Sequence, residues 1–131
     1  MTFSVETLRG ADNAHRAVID HRLERLALVN EYRRGRLRRE QICDAHPELI
    51  RAARNVGSQS SVICPICEEV NLMLVTYVFG ARLPKHGRCV ATKADMAKLD
   101  TRTDDLDAYV VEACTSCHWH HLLRVLPLGG R

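Results

Sequence analysis

Four of the six cysteines stand in two matched pairs, Cys64-Pro65-Ile66-Cys67 and Cys114-Thr115-Ser116-Cys117, with 46 residues between the pairs. Two residues between cysteines let both sulfurs of a tight turn face one point. Two such turns brought together supply four thiolates in a tetrahedron, the geometry a structural zinc requires. Cys64, Cys67, Cys114 and Cys117 are therefore the expected ligands of one structural Zn2+. The pairs also constrain the fold, because each turn must sit at one end of a β element for the metal to clip the two together. A chain of 131 residues buries a modest core, so a metal staple is a plausible part of its stability.

The rival reading of such pairs is redox chemistry. Cys64-Pro65-Ile66-Cys67 looks like the C-P-x-C of glutaredoxins and thioredoxins, in which a helix N-terminus lowers the pKa of the first thiol. Here Glu68, Glu69 and a strand-like run follow instead, and two carboxylates beside the pair raise a thiol pKa. A full shell of four sulfurs also leaves no open position for catalysis at the metal. The expectation is a chain without catalytic residues, with a zinc-thiol redox switch as an alternative. No apolar run is long enough to span a membrane and no secretory signal pattern opens the chain, so a cytoplasmic protein with reduced thiols is expected.

Periodicity divides the chain in two. From about Ala14 to Arg34 the composition is helical, with Ile19, Leu23 and Leu26 as an apolar stripe widened by Val18, Val29 and Tyr32. Gly35 breaks the run. A short helix over Arg38 to Ala45 and a third over Pro47 to Asn55 are expected, the third with Leu49, Ile50 and Ala53 inward and Gly57 beyond its end. Gly57 to Ser61 reads as a polar linker. Beyond it, Asn71 to Phe79 is rich in β-branched and aromatic residues and reads as a buried strand. A loop over Gly80 to Arg88, a short helix over Thr92 to Leu99, strands over Ala108 to Ala113 and His118 to Leu126, and a frayed tail from Pro127 complete the reading. The expected fold is α+β: an N-terminal helical unit over 1–57, then an antiparallel β zinc ribbon with a long insertion over 58–131.

Three further groups stand out. Arg33, Arg34, Arg36, Arg38 and Arg39 fall in seven residues of a chain whose net charge is only +3, a local basic patch and the candidate partner-binding surface. Its bland alternative is a solvated helix face with i,i+4 pairs. A helix-turn-helix reading is weakened by the short third helix, which offers only Arg51, Arg54 and Asn55 for base contacts. Cys43 reads as a small buried apolar residue, and His86-Gly87-Arg88-Cys89 as a possible second metal pair. His118, His120 and His121 read as a polar surface strip or as hydrogen-bond donors behind the metal ligands.

The set formed by the Arg-rich helix, Gln41 to Pro47, Val62 to Cys67, Val78-Phe79-Gly80 and Glu112 to Cys117 resembles an actinobacterial family of small cytoplasmic proteins known only as a domain of unknown function. That resemblance implies a non-enzymatic factor. Bacterial zinc ribbons of this size frequently accompany RNA polymerase or the ribosome, an analogy at the level of fold. The expected function is therefore a factor that binds RNA polymerase or its sigma factor and modulates transcription. The Arg patch is expected to meet an acidic protein surface or nearby nucleic-acid phosphates; no membrane or small-molecule substrate is expected. Ribosome or RNA association is the alternative.

Overall fold

A computed structural model of the chain describes residues 18–130. The leader read over residues 1–12 and the helical start at Ala14 lie outside the described residues. The elements run β1 (Ile19–Asp20), α1 (Arg22–Arg33), α2 (Arg39–Ile42), α3 (Pro47–Val56), β2 (Ser58–Ile63), β3 (Asn71–Phe79), β4 (Arg88–Val90), α4 (Lys93–Asp100), β5 (Asp105–Ala113) and β6 (His120–Gly129). The protein is α+β, with one antiparallel sheet in the order β1-β6-β5-β3-β2. β4 pairs with β3 along Thr76–Val78, while β2 pairs with it along Asn71–Leu74. No helix among the described residues is long and apolar enough to cross a membrane.

Successive side chains of a strand point to opposite faces, and both faces of this sheet are covered. Val75 and Tyr77 of β3, Tyr109 and Val111 of β5, and Leu122 and Val125 of β6 form a core with Leu49, Ile50 and Ala53 of α3. The third helix thus packs directly on the sheet that carries the cysteines. Pro47 opens α3, and His46 caps it by accepting from the Glu48 backbone N–H at 3.0 Å. Gly57 ends it where a Cβ would stand 2.5 Å from the Ala53 carbonyl oxygen. On the other face Val78, Leu106 and Ala108 meet Leu99 of α4, whose Thr92 cap accepts from the Asp95 N–H at 3.2 Å. At the cysteine end of the sheet, Leu72 and Trp119 pack with Val29 of α1 and Ile42 of α2.

Several expectations are corrected. Only part of the stripe on the first helix faces the core: Leu23 is 80% and Leu26 50% exposed, whereas Val29 is buried and Tyr32 packs against the cysteine cluster as expected, joined by Leu28. The reason is the preceding strand. Ile19 pairs with Val125 in β1, and the His21 N–H donates to the Leu123 carbonyl at 2.8 Å, which fixes the rotation at which the helix starts. The expected linker at Ser58–Ser61 is the first part of β2, a polar edge strand whose side chains are mostly exposed. The expected frayed tail is strand, with Pro127 opposite Asp107 and the Gly130 N–H bonded to the Asp104 carbonyl at 2.9 Å.

Candidate metal centre

The first cysteine turn joins β2 to β3 and the second joins β5 to β6. Because β3 and β5 are antiparallel neighbours, with Met73 opposite Ala113, the two turns lie side by side at one end of the sheet. They are built alike. The Glu68 N–H donates to the Cys64 carbonyl and the His118 N–H to the Cys114 carbonyl, both at 3.0 Å. Each turn is closed by a residue at positive φ, Glu68 at 57° and His118 at 71°. Backbone N–H groups point at sulfur in both: Ile66 to Cys64 at 3.4 Å and Cys117 to Cys114 at 3.3 Å. Such donors favour the charged form of a thiol.

The four sulfurs of Cys64, Cys67, Cys114 and Cys117 all lie within 4.8 Å of one another, the sole such group of possible metal ligands among the described residues. Cys64 and Cys117 sulfurs are 3.7 Å apart, and those of Cys67 and Cys114 3.6 Å. Four sulfurs at about 2.3 Å from a tetrahedral zinc are separated by about 3.8 Å, so the cluster has the size and donor chemistry that a four-cysteine metal site requires. Burial pushes the Cys64 thiol up to about 11 and raises Cys117 as well. Burial acts upward on Cys67 too, but the Glu69 amide and the surrounding thiols outweigh it and hold that thiol below its ordinary value. A cation placed among the four would supply the charge that burial withholds. Neither turn opens a helix, so the arrangement that activates a thioredoxin-type cysteine is absent from both.

The surroundings of the centre differ from their sequence reading. Cys43 is half-buried and closes α2, with its Sγ 3.5 Å from that of Cys117. A fifth sulfur therefore touches the cluster, and no periodicity around Gln41-Ile42-Cys43 signals it. Cys89 lies on β4, where with His86 it lines a separate groove beside Arg51 and Tyr77. His120 and His121 are buried rather than forming a surface strip. His120 Nε2 lies 3.3 Å from Asp44 Oδ1, and the His121 ring stacks on Trp119 with centroids 6.0 Å apart. His118 alone borders a surface groove, shared with Arg51 and Arg54 of α3.

Behind the cluster lies an ion pair that the sequence reading missed. Glu112 Oε1 accepts from Arg25 Nε of α1 and from Trp119 Nε1, the latter at 3.2 Å. Its one signal in the sequence is a carboxylate inside the apolar run Ala108–Ala113.

All five clustered arginines are exposed. Arg34 and Arg36 lie 3.5 and 3.2 Å from Glu31. Gly35, at φ 76°, turns the chain from α1 toward α2. The Arg39 carbonyl accepts the Cys43 backbone N–H at 2.8 Å. The cluster is thus joined to the cysteine centre through Arg39, Cys43 and the buried Ile42. Charge differs between the two turns: Glu68 and Glu69 are exposed beside the first, whereas Arg54 donates to the Thr115 carbonyl of the second at 3.2 Å.

The profile of a family of unknown function, DUF5318, matches residues 13–131. Uncharacterized proteins of Mycobacterium bovis and of two strains of Mycobacterium tuberculosis are each 40% identical to the chain over 112 residues, covering 86% of it and 82% of the relative. No solved structure matches the chain significantly.

Proposed function

We propose, on the premise that this chain belongs to the DUF5318 family of unknown function, that it is a non-enzymatic zinc-ribbon factor. In this reading one zinc is held by Cys64, Cys67, Cys114 and Cys117, and the surface it steadies carries the function. That surface is the cluster of Arg33, Arg34, Arg36, Arg38 and Arg39, which docks on an acidic face of the transcription machinery, RNA polymerase or its sigma factor. The observation that carries the reading is the tie between the two parts: Ile42 is buried among the cysteines, Cys43 touches Cys117 and the Arg39 carbonyl accepts the Cys43 backbone N–H. A metal at the four sulfurs therefore positions the arginines. The mycobacterial relatives agree with the actinobacterial character read from the sequence. The step to polymerase rests on the frequency of small zinc ribbons among polymerase accessories.

Affinity purification from the native host tests the partner. Polymerase subunits are the expected recovery. Ribosomal proteins would transfer the reading to the ribosome, and recovery of neither would end it. Replacing Arg33, Arg34 and Arg36 together with Ala is expected to weaken the complex on the order of tenfold at low salt, with a smaller loss at high salt, because exposed charges act mainly through screened attraction. Equal affinity of variant and parent at both salt concentrations would assign the arginines to solvent.

A further inference from the structure

The thiol of Cys43 lies as near to one metal ligand as the ligands of facing turns lie to each other, yet it is no member of their set. Its sulfur stands 3.5 Å from Cys117, against 3.6 and 3.7 Å for Cys67–Cys114 and Cys64–Cys117. Access differs as well. Cys64 and Cys114 are fully buried, while Cys43, Cys67 and Cys117 are partly exposed, and of the two exposed ligands Cys117 is the one with the Cys43 sulfur beside it. We propose that Cys43 and Cys117 form a peroxide-sensitive pair, in which Cys43 traps an oxidised Cys117 as a disulfide. This rests on the cysteine geometry and is independent of what the arginines bind.

The chemistry balances with hydrogen peroxide as oxidant. The Cys117 sulfur attacks one peroxide oxygen, the O–O bond breaks, and the departing hydroxide takes a proton to become water. Cys117 is then a sulfenic acid. The Cys43 sulfur attacks the Cys117 sulfur, the S–S bond forms and the S–O bond breaks. The hydroxyl leaves with the Cys43 thiol proton as a second water. Two cysteines lose two electrons in total, and one peroxide becomes two waters.

Closing the pair needs the sulfurs to approach by about 1.5 Å, to the ~2.05 Å of a disulfide. Cys43 sits at the end of a helix of four residues, where its backbone N–H bonds the Arg39 carbonyl at 2.8 Å. A disulfide within the four ligands would withdraw two of them at once. The Cys43–Cys117 bond withdraws one, leaving Cys64, Cys67 and Cys114 in place for recovery by a thiol reductant.

The test is low-dose hydrogen peroxide on the zinc-loaded full chain, followed by tryptic digestion without reductant. Residues 40–51 and 103–124 are the tryptic peptides that carry Cys43 and Cys117. They are expected to appear as one cross-linked species, with fragmentation placing the bond on Cys117, and to separate on reduction. In Cys43→Ser the link to residues 40–51 is lost, and Cys117 oxidation ends instead as sulfinic acid or in a disulfide with Cys64, whose sulfur lies 3.7 Å away. Should the variant fail to load zinc, isotope-coded alkylation of the parent decides the matter: Cys43 and Cys117 must lose their thiols together. A first disulfide within Cys64–Cys67 or Cys114–Cys117, with Cys43 still alkylated, would overturn the proposal.

Discussion

Loading the protein with zinc and then stripping the metal with a chelator at neutral pH is expected to unfold the cysteine end of the sheet and to shift the emission of Trp119 to the red. Trp119 is the only tryptophan, is fully buried, and packs in the same cluster as Cys64 and Cys114. It therefore reports directly on the state of the centre. Structural zinc contributes apparent binding free energies of about 10–16 kcal/mol in small peptides, and a whole domain is stable by only about 5–15 kcal/mol. Loss of even part of the metal term is thus comparable to the entire stability. The elements held by the centre are short: α2 has four residues and the edge strand β2 is largely exposed. Readdition of zinc should restore the emission, with one metal per chain by elemental analysis. Acid should act in the same direction as the chelator. Burial raises the Cys64 thiol to about 11 and Cys117 also upward, so metal binding at neutral pH displaces protons from both. Affinity then rises with pH and falls as pH drops. An unchanged Trp119 spectrum and melting temperature after complete metal removal would show that the four sulfurs are not the staple of the fold.

The parts of this architecture that were legible in the sequence are those set by local chemistry. The two C-x-x-C turns, the run Asn71–Phe79, the Pro47 start of the third helix and the Thr92 cap of the fourth are each specified by their own few residues. What was not legible depends on partners distant in sequence. Gly57 to Ser61 looks like a linker because all of it but Gly57 lies on an edge strand, and its polarity records solvent on an open edge rather than the absence of structure. The shift in register between Val110 and Val111 brings His121 opposite Glu112, and no local pattern announces a bulge. The helical stripe of Leu23 and Leu26 misleads because the short strand before it, paired with β6, decides which face turns inward. At the centre itself the grouping of the four sulfurs could be read from spacing alone. Cys43 could not, since its approach to Cys117 across 74 positions of chain is a product of the packing of Ile42.

The second large effect is expected at Glu112. Its side chain is 4% exposed and that of Arg25 19%, so the pair is largely removed from water. Burial pushes the Glu112 carboxyl above its usual range, and the hydrogen bonds from Arg25 and Trp119 only partly offset this. Glu112→Ala strands the Arg25 guanidinium and removes the Glu112 acceptor from the Trp119 N–H. A loss of ~3–5 kcal/mol is expected, read by urea unfolding at pH 7. Arg25→Met acts through the opposite charge. With its cation gone, the Glu112 pKa in the folded protein rises further above the unfolded value. An acid with a raised folded pKa favours the fold only while protonated, so the variant's deficit is small in acid and grows as pH rises through that pKa. The double variant Arg25→Met with Glu112→Leu should recover much of the loss, because an apolar pair of similar volume needs no compensation for buried charge. The hydrogen bond from Trp119 to Glu112 is lost in that variant too, so recovery short of the parent measures the worth of that bond. Should Arg25→Met lose the same stability at pH 5 as at pH 7, the ion pair would not be what joins α1 to the sheet behind the cysteines.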